Sequence, residues 1–386
     1  MPLNYLALEP QIDQYTQSAV DFRDNIGEKM HLCEQIMRNC SQNAEQTRAS
    51  ILEAVKNNPN SMRCALPTNE ACNRSFPYQS LPIKDYIVAA SDGSQITPSS
   101  HDAVSVALIN TSCVVFRAGS EKAPKVQTFT FFVKDKDHQI ELSQQSDELI
   151  SLQRDVAEME ALASWNNETH LPVVALGDGA IELFHQPREG EDFELHFKRY
   201  LDTLHTIADK GFLLACYTDR PRAALVIKML ECLAGGQPNI DLSGMEDRFL
   251  FESLIKPGER SAIFELRSSS SPLYEGDLAL YFFYLNVGRE GNPWIVRVEI
   301  PHWVAVNEAN LSLVHRALVE QCRIMSPRPY PYLLHRAHEE AVVRLEEKSW
   351  LIARLVSELQ QRGLGISLPS HKQSAKDLHP RRRTVQ

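Results

Sequence analysis

Two apolar, strand-like segments of this chain each run into an Asp-Gly dipeptide. The first, IVAASDGSQI at residues 87–96, contains Asp92, and the second, PVVALGDGAI at residues 172–181, contains Asp178. Asp-Gly is a common hairpin turn, so either dipeptide alone is typical of an ordinary turn. Two strand ends can also bring two carboxylates to one cation, because hard divalent cations bind several oxygen ligands. The two dipeptides therefore predict either two turns or two parts of one metal site.

The segments around these dipeptides predict an α/β protein. Three strand-like segments, YIVAAS, AVSVALINTSCVVF and VQTFTFFV, are separated by short turn-forming stretches and predict an antiparallel meander. A helix is predicted from Ser146, as its N-cap, to about residue 166, and the apolar strand LPVVALGD follows it. Helices and strands then alternate, and the last two helices are predicted near 308–324 and 334–362. This order predicts a mixed sheet with flanking helices.

Four regions are predicted along the 386 residues. Apolar residues recur at helical spacing up to residue 57, whereas the next stretch is rich in Pro, Asn and Ser and is typical of a linker. The predicted regions are an N-terminal helical region (1–57), a linker (58–82), the main α/β domain (83–345) and a C-terminal helix with a basic tail (346–386).

Composition is that of a soluble globular protein, with 43% hydrophobic and 23% charged residues. No apolar run approaches the roughly 20 residues that cross a bilayer, and the N-terminus has no basic segment followed by an apolar one. We therefore expect a cytoplasmic protein without a membrane partner. The 8 cysteines include no Cys-x-x-Cys pair, so most are expected to be reduced core residues rather than zinc ligands or disulfides.

The formal net charge of −10 argues against a protein that coats nucleic acid by bulk electrostatics. It leaves a nucleic-acid enzyme open, because acidic metal ligands add negative charge. Residues 371–386 carry five basic side chains and one acid, in contrast to the rest of the chain. This segment is predicted to be a disordered tail, with phosphate contact as the alternative.

A third carboxylate is predicted on the helix between the two Asp-Gly dipeptides. Its apolar stripe, expected to face the sheet, comprises Leu149, Leu152, Val156, Met159 and Ala163. Helical periodicity puts Glu160 on the flank of this stripe, whereas Glu158 projects further away, with Arg154 one turn before it. Periodicity therefore favours Glu160, and a solvated helix face is the alternative for either glutamate.

Two further segments contain residue types that handle phosphates and protons. The segment YPYLLHRAH contains Tyr330 and His338. A tyrosine can orient a water or a phosphate oxygen, and a histidine can bind a metal ion or transfer a proton. His335 is an equally good candidate by spacing alone.

YTDRPRAALVIK contains Arg220 and Arg222 between a strand and a helix, where guanidinium groups can bind phosphate. A surface ion pair with Asp219 or Glu231 is the alternative for these arginines. The sequence contains neither a P-loop nor a Gly-x-Ser-x-Gly elbow, so it predicts neither an ATPase nor a serine hydrolase.

The chain resembles the NurA nuclease family in an ordered set of blocks over roughly residues 85–345. These are ASDGS, VALGDGAIEL, YTDRPRAALVIKML, LIKPGERSAIF, YFFYLNVG, RVEIPHWVA and YPYLLHRAH. The resemblance implies a ribonuclease H-like core, a ring-shaped homodimer and manganese-dependent DNA cleavage. It also implies 5′ to 3′ exonuclease and single-strand endonuclease activity, a hexameric HerA-type ATPase partner, and a role in DNA end resection for recombinational repair.

The family pattern implies site residues position by position. Asp92, Asp178 and His338 correspond to ligands for one or two Mn²⁺ or Mg²⁺ ions, and Tyr330 corresponds to a catalytic positioning group. The pattern selects His338 over His335. An arginine four positions before the middle carboxylate favours Glu158, whereas helical periodicity favours Glu160. We name Glu158 as the middle metal ligand and keep Glu160 as the alternative.

A protein of another class is the main alternative. It would be a non-catalytic NurA-like adaptor that docks a DNA translocase through its N-terminal helices. An adaptor has no need of the carboxylates, the tyrosine and the histidine that this sequence retains. The nuclease interpretation therefore accounts for more of the sequence.

Overall fold

Helices and strands alternate along the chain in the predicted α/β order. The computed structural model describes residues 3–42, 44–57, 63–78, 85–99, 102–133, 147–183, 191–234 and 242–364. The predicted N-cap Ser146 and the basic segment 371–386 lie outside the described residues.

The helices and strands have the following bounds. The helices are α1 (Tyr5–Gln42), α2 (Ala44–Asn57), α3 (Asp147–Ser164), α4 (Glu191–Asp209), α5 (Leu225–Leu233), α6 (Asp247–Leu254), α7 (His302–Ala305), α8 (Glu308–Ile324), α9 (Tyr332–Ala341) and α10 (Leu345–Gln361). The strands are β1 (Cys64–Pro67), β2 (Ser75–Phe76), β3 (Ile87–Ile96), β4 (Leu108–Arg117), β5 (Lys125–Phe132), β6 (Val173–Asp178), β7 (Leu213–Thr218), β8 (Arg260–Ser261), β9 (Phe264–Arg267), β10 (Leu280–Asn286) and β11 (Ile295–Pro301).

The chain divides into two compact units. The first unit comprises the described residues of Met1–Ile83, Asp178–Glu182 and Leu213–Tyr332, and the second comprises those of Lys84–Gly177, Leu183–Phe212 and Leu333–Gln386.

The second unit contains a mixed sheet with the strand order β6-β3-β4-β5. Strands β3, β4 and β5 form the predicted antiparallel meander, and β6 returns parallel to β3 with Ala90 opposite Leu176. A parallel return needs a crossover, and α3 supplies it while packing on β3, β4 and α4. The predicted mixed sheet with flanking helices is confirmed.

The first unit contains antiparallel strands in the order β1-β9-β10-β11-β7, with β8 pairing with both β10 and β2. Its core is rich in aromatic side chains, and Phe251 stacks on Tyr284 with ring centroids 4.5 Å apart. The helices α1, α2 and α5 pack together beside β1. Periodicity predicted one or two helices in this N-terminal region, and two are observed.

Two local predictions differ from the structure, and two helices, α6 and α7, were not predicted. The stretch 58–82, predicted as a linker or irregular connection, contains β1 and β2. The segment CALP is short and lies among turn-forming residues, which is typical of a loop. It forms a strand because it pairs with β9. The helix predicted over 334–362 is two helices, α9 and α10, because the Val343 N–H donates to the Ser94 hydroxyl (3.1 Å) instead of continuing the helix.

The cysteines and the lengths of the helices bear on two further predictions. All eight cysteines are free, and seven of them are buried, as expected for reduced core residues. Of the helices in the described part of the chain, none combines the length and the apolar composition that crossing a membrane requires.

Candidate active site

Asp92 lies in the middle of a strand rather than at a strand end. The strand β3 continues through the Asp-Gly dipeptide to Ile96, and β4 pairs with it along its whole length, with Asp92 opposite Ser112 and Gly93 opposite Thr111. Both the hairpin-turn alternative and the predicted strand end are therefore wrong for this dipeptide. The antiparallel partner extends the strand past the point at which the apolar run stops, and the Asp92 side chain is 15% exposed.

Side chains from β3 and β4 hold the C-terminal half of α9 against this sheet. Ser112 donates its hydroxyl to the Ala337 carbonyl (2.7 Å), and Ser94 and Asn110 donate to the Ala341 carbonyl (2.5 and 2.7 Å). The Ala341 carbonyl ends the helix and has no partner within it, so Ser94 and Asn110 satisfy this group, and Ser112 adds a bond one turn earlier. The three bonds determine where the preceding turn of α9 lies.

His338 is held by this arrangement beside Asp92. Its Nδ1–H donates to Asp92 Oδ2 at 2.7 Å. With the proton on Nδ1, the other ring nitrogen keeps a lone pair that can accept a proton or bind a metal ion. The His338 side chain is 62% exposed, so a substrate can reach it. His335, the alternative by spacing, instead lies 3.5 Å from Glu339.

Glu158 lies against the backbone of β3 next to Asp92. A Cβ added at Gly93 would be 2.7 Å from Glu158 Oε1 and 2.9 Å from Arg154 Cγ, so the carboxylate occupies the space that a side chain would take. Arg154 lies one turn before Glu158, and its Nε is 3.2 Å from Glu158 Oε1. Gly93 is therefore required for the close approach of Glu158 to the strand.

The prediction from periodicity that Glu160 points inward is wrong. Glu158 is 7% exposed, whereas Glu160 binds Arg199 of α4 through two bonds of 2.5 and 2.7 Å. The helix α3 packs on β3 and β4 and also on α4, so its buried arc is broader than the predicted stripe. Glu160, beside the predicted stripe, therefore contacts α4. Glu158, farther round the helix, contacts β3.

Arg154 is the counterion of this acidic cluster. Burial opposes its charged form, but the carboxylates of Glu158, Asp155 and Asp92 outweigh burial and raise the pKa of Arg154 above its ordinary value. Arg154 Nη2 also lies 2.9 Å from Asp155 Oδ1. The guanidinium therefore neutralises carboxylate charge that would otherwise be costly at a partly buried site.

Asp178 and Tyr330 belong to the first unit. Asp178 is the last residue of β6 and is exposed, as predicted for a strand end, and Gly179 has a φ of +89° that favours glycine. The Gly179 N–H donates to the Tyr217 carbonyl (2.9 Å), and the Thr218 hydroxyl donates to the Gly179 carbonyl (2.7 Å). Tyr330 packs edge-on against Tyr217, with ring centroids 5.4 Å apart. The end of β7 thus holds both predicted residues in place.

The predicted phosphate-binding arginines follow β7. Arg220 has a φ of +44° and lies 4.2 Å above the Trp294 ring, and the Trp294 indole N–H donates to Asp219 Oδ1 (2.7 Å). Arg222 is exposed. Arg220 is therefore placed by an aromatic ring, a contact that guanidinium groups favour.

The donor set of the second unit suits a hard divalent cation in its chemistry. Asp92 and Glu158 supply carboxylate oxygens, His338 supplies a ring nitrogen, and the missing side chain of Gly93 leaves the strand backbone open to Glu158. Within the part of the chain that the structure describes, no three such side chains already converge as a metal site. The nitrogens of Arg154 and His338 bind these carboxylates instead.

The sequence analysis did not identify the residues that position the candidate site without belonging to it. Ser94, Asn110 and Ser112 hold α9 in place, and their polar side chains within apolar strands were the signal that could have found them. Trp294 was also missed, because a single aromatic residue in a hairpin carries no pattern.

Comparisons with known proteins find a matching family model and similar solved structures. The family model of the NurA domain matches residues 86–343. The crystal structure of the NurA nuclease from Sulfolobus solfataricus is similar over 75% of this chain and 88% of its own, with 15% identity and a TM-score of 0.48. The catalytic domain of human endonuclease V is similar over 76% of this chain and 93% of its own, with 15% identity and a TM-score of 0.34.

The comparison with curated proteins finds no match. The NurA domain match covers more than half of the 386 residues and includes every residue of the candidate site. The chain belongs to the NurA nuclease family.

Proposed function

We propose that this chain is a divalent-metal-dependent DNA nuclease with 5′ to 3′ exonuclease and single-strand endonuclease activity. The observation that carries the proposal is the contact of Asp92 with His338 at 2.7 Å, beside the buried Glu158. A purely structural carboxylate and histidine have little reason to meet at a position where the imidazole is mostly exposed. Membership of the NurA nuclease family supports the same function.

Asp92, Glu158 and His338 are the proposed metal-binding residues of the second unit, with Mn²⁺ or Mg²⁺ as the cofactor. When bound, such an ion polarises a phosphoryl oxygen and lowers the pKa of a bound water. The Nδ1–H of His338 donates to Asp92, so its other nitrogen can take one of two roles: it binds the ion, or it accepts a proton from water. Arg154 balances the carboxylate charge near the site.

Asp178 and Tyr330 are proposed site residues on the basis of the sequence. We propose Asp178 as a further metal ligand and Tyr330 as a group that orients water or phosphate. Arg220 and Arg222 are proposed contacts for DNA phosphates.

A cleavage assay tests the proposal. Single- and double-stranded DNA labelled at the 5′ or 3′ end is incubated with Mn²⁺, Mg²⁺ or EDTA and the wild type, Asp92→Asn or Asp85→Asn. Asp85 is the matched control, because its carboxylate forms only an exposed ion pair with Arg117 (3.0 Å). We expect metal-dependent cleavage by the wild type and by Asp85→Asn, and a loss of about 100-fold or more in Asp92→Asn.

Two results of this assay would contradict the proposal. Cleavage by Asp92→Asn at the wild-type rate would remove Asp92 from the site. An inactive wild type with every metal would favour the adaptor interpretation, in which the protein docks a DNA translocase without cutting.

The proposed partner is a hexameric HerA-type ATPase, and the proposed assembly is a homodimer that acts in DNA end resection. The sequence contains no P-loop, so the energy for unwinding duplex ends has to come from another protein. We expect duplex digestion to increase when the ATPase and ATP are added together. Light scattering should give twice the 43.7 kDa of the chain, and a monomer mass would contradict the homodimer.

A further inference from the structure

A cavity of about 260 Å³ in the first unit contains two arginines and no lining carboxylate among the described residues. Its polar wall comprises Arg289, Asn292, Trp294, Arg323 and Ser326. Guanidinium, amide and hydroxyl groups are all hydrogen-bond donors, and two guanidinium groups give the wall a net positive charge. A cavity of this composition suits an anion.

A second cavity in the same unit has carboxylates in its lining and serves as a comparison. It is larger, about 580 Å³, and also contains two arginines. There, however, Arg48 forms an ion pair with Glu265, and Arg260 binds Glu70 at 2.7 Å. Its arginines are neutralised by carboxylates in the wall, whereas no described lining residue of the smaller cavity is acidic.

Side-chain bonds hold the hairpin that forms one part of the wall of the smaller cavity. Asn286 Oδ1 accepts bonds from the backbone N–H groups of Gly288 (3.0 Å) and Trp294 (3.1 Å), and these bonds close the hairpin between β10 and β11. A Cβ at Gly288 would be 2.4 Å from the Asn292 carbonyl oxygen, so the hairpin depends on glycine there. A preformed wall lowers the entropy cost of binding a ligand.

The cavity adjoins segments that carry proposed site residues of the same unit. Its lining residue Trp294 binds Asp219, which follows the Thr218 that holds Gly179. Another lining residue, Pro329, directly precedes Tyr330. Arg220 lies over the Trp294 ring at 4.2 Å.

We propose that this cavity binds a phosphate group of a single DNA strand, with Arg289 and Arg323 as the charged contacts and Trp294 as a wall for the adjoining base. The ligand rests on the proposed function, since it is the strand that the nuclease cuts. A phosphate matches the paired guanidinium groups in charge and hydrogen bonding, and aromatic side chains stack on bases without sequence preference. Both a terminal phosphate and an internal phosphodiester have this chemistry.

Binding measured in EDTA tests this site separately from cleavage. Fluorescence anisotropy compares 3′-labelled single strands that carry either a 5′-phosphate or a 5′-hydroxyl. The test variant is Arg289→Gln with Arg323→Gln. The matched control is Arg38→Gln with Arg248→Gln, which removes the same charge from two arginines that pair with Glu34 and Glu246 outside the cavity.

We expect the test variant to lose affinity by about tenfold or more and to bind with a shallower salt dependence, because two phosphate-contacting charges are removed. The control should change affinity by less than about threefold. A loss confined to the 5′-phosphorylated strand assigns a terminal phosphate, and an equal loss for both strands assigns an internal one.

An equal loss of affinity in the test and control variants would overturn the proposal, because bulk charge would then explain it. Unchanged melting temperatures exclude unfolding as the cause. The binding assay does not depend on cleavage, because EDTA prevents metal-dependent cutting. A wild type that is inactive in the cleavage assay would therefore refute the nuclease function, and the binding result could still be interpreted.

Discussion

At the scale of single residues, Glu158 and Glu160 show how two positions on one helix acquire different environments. Glu158 faces the strand backbone at Gly93, and Glu160 faces Arg199 on the neighbouring helix. The first is nearly inaccessible, and the second is a third exposed. Only Glu158 lies where it can act together with Asp92.

Replacing each glutamate by glutamine separates the two roles. We expect Glu158→Gln to reduce metal-dependent cleavage by about 100-fold or more, because a carboxylate ligand is lost. Glu160→Gln loses a partly exposed ion pair, which is worth at most about 1 kcal/mol, and should cleave at close to the wild-type rate. The reverse ranking in the cleavage assay would restore Glu160 as the middle carboxylate.

His315 is a second residue whose environment has a measurable consequence. It is buried in the first unit, and its Nε2–H donates to the Gly258 carbonyl at 2.9 Å. Burial lowers the pKa of His315 from its ordinary 6.5 to about 4, although the bond to Gly258 opposes this change. The folded protein therefore disfavours the charged imidazolium.

This pKa predicts how stability depends on pH. Since the folded-state pKa lies below the unfolded one, the contribution of His315 is complete above pH 6.5 and is lost as the pH falls towards 4. The loss amounts to about 3 kcal/mol from the difference in pKa. Urea unfolding of His315→Gln should show a flatter pH dependence over this range than the wild type, and the exposed His335→Gln is the control. Equal slopes in all three proteins would contradict the assignment.

At the scale of elements, the position of α9 depends on two strands of the sheet rather than on its own sequence. Ser94 of β3 and Asn110 of β4 bind the Ala341 carbonyl at the end of this helix, and Ser112 of β4 binds the Ala337 carbonyl one turn earlier. These strands also carry Asp92, so one structural unit positions both partners of the contact between Asp92 and His338. The site is therefore supported by regular elements, which hold side chains more precisely than loops do.

The N-terminus of α5 is completed by an element that lies later in the chain. Its N-cap position, Ala224, supplies no side-chain bond. The buried Asp247 at the start of α6 accepts bonds from the backbone N–H groups of Leu225, Val226 and Ile227 at 2.7–3.0 Å. It also accepts the Tyr284 hydroxyl at 2.5 Å.

Removing this carboxylate should destabilise the first unit strongly. Asp247→Ala leaves three backbone donors and one hydroxyl buried without an acceptor, and we expect the free energy of unfolding to fall by about 3 kcal/mol or more. Glu246→Ala, which loses only the ion pair with Arg248, should cost less than about 1 kcal/mol. Chemical denaturation measures both, and similar losses would show that Asp247 is not a structural cap.

At the scale of the whole molecule, metal binding should increase the stability of the folded protein. A ligand that binds only the folded state raises the free energy of unfolding by about 2.7 kcal/mol at 100 times its dissociation constant. We expect Mn²⁺ to raise the melting temperature of the wild type and of Asp85→Asn, and EDTA to reverse the increase. Asp92→Asn should show little increase. An equal shift in all three proteins would place the metal elsewhere.

Much of the fold could be predicted because its signals are local. The periodicity of α1, α2 and α3 and the apolar runs of β3 to β7 are properties of short segments, and these elements are observed. Short strands such as β1 and β2 were missed, since a four-residue or two-residue strand is stabilised by its partners rather than by its own sequence.

By itself, the sequence determined the type of fold and the residue types of the candidate site. Asp92 and His338 were named from residue patterns and a family resemblance. Tertiary structure decided which neighbours they have, because contacts between residues 246 positions apart depend on how β3, β4 and α9 pack. It also decided that Glu158 rather than Glu160 faces the sheet. A helical wheel contains no information about which neighbouring element covers each side of the helix.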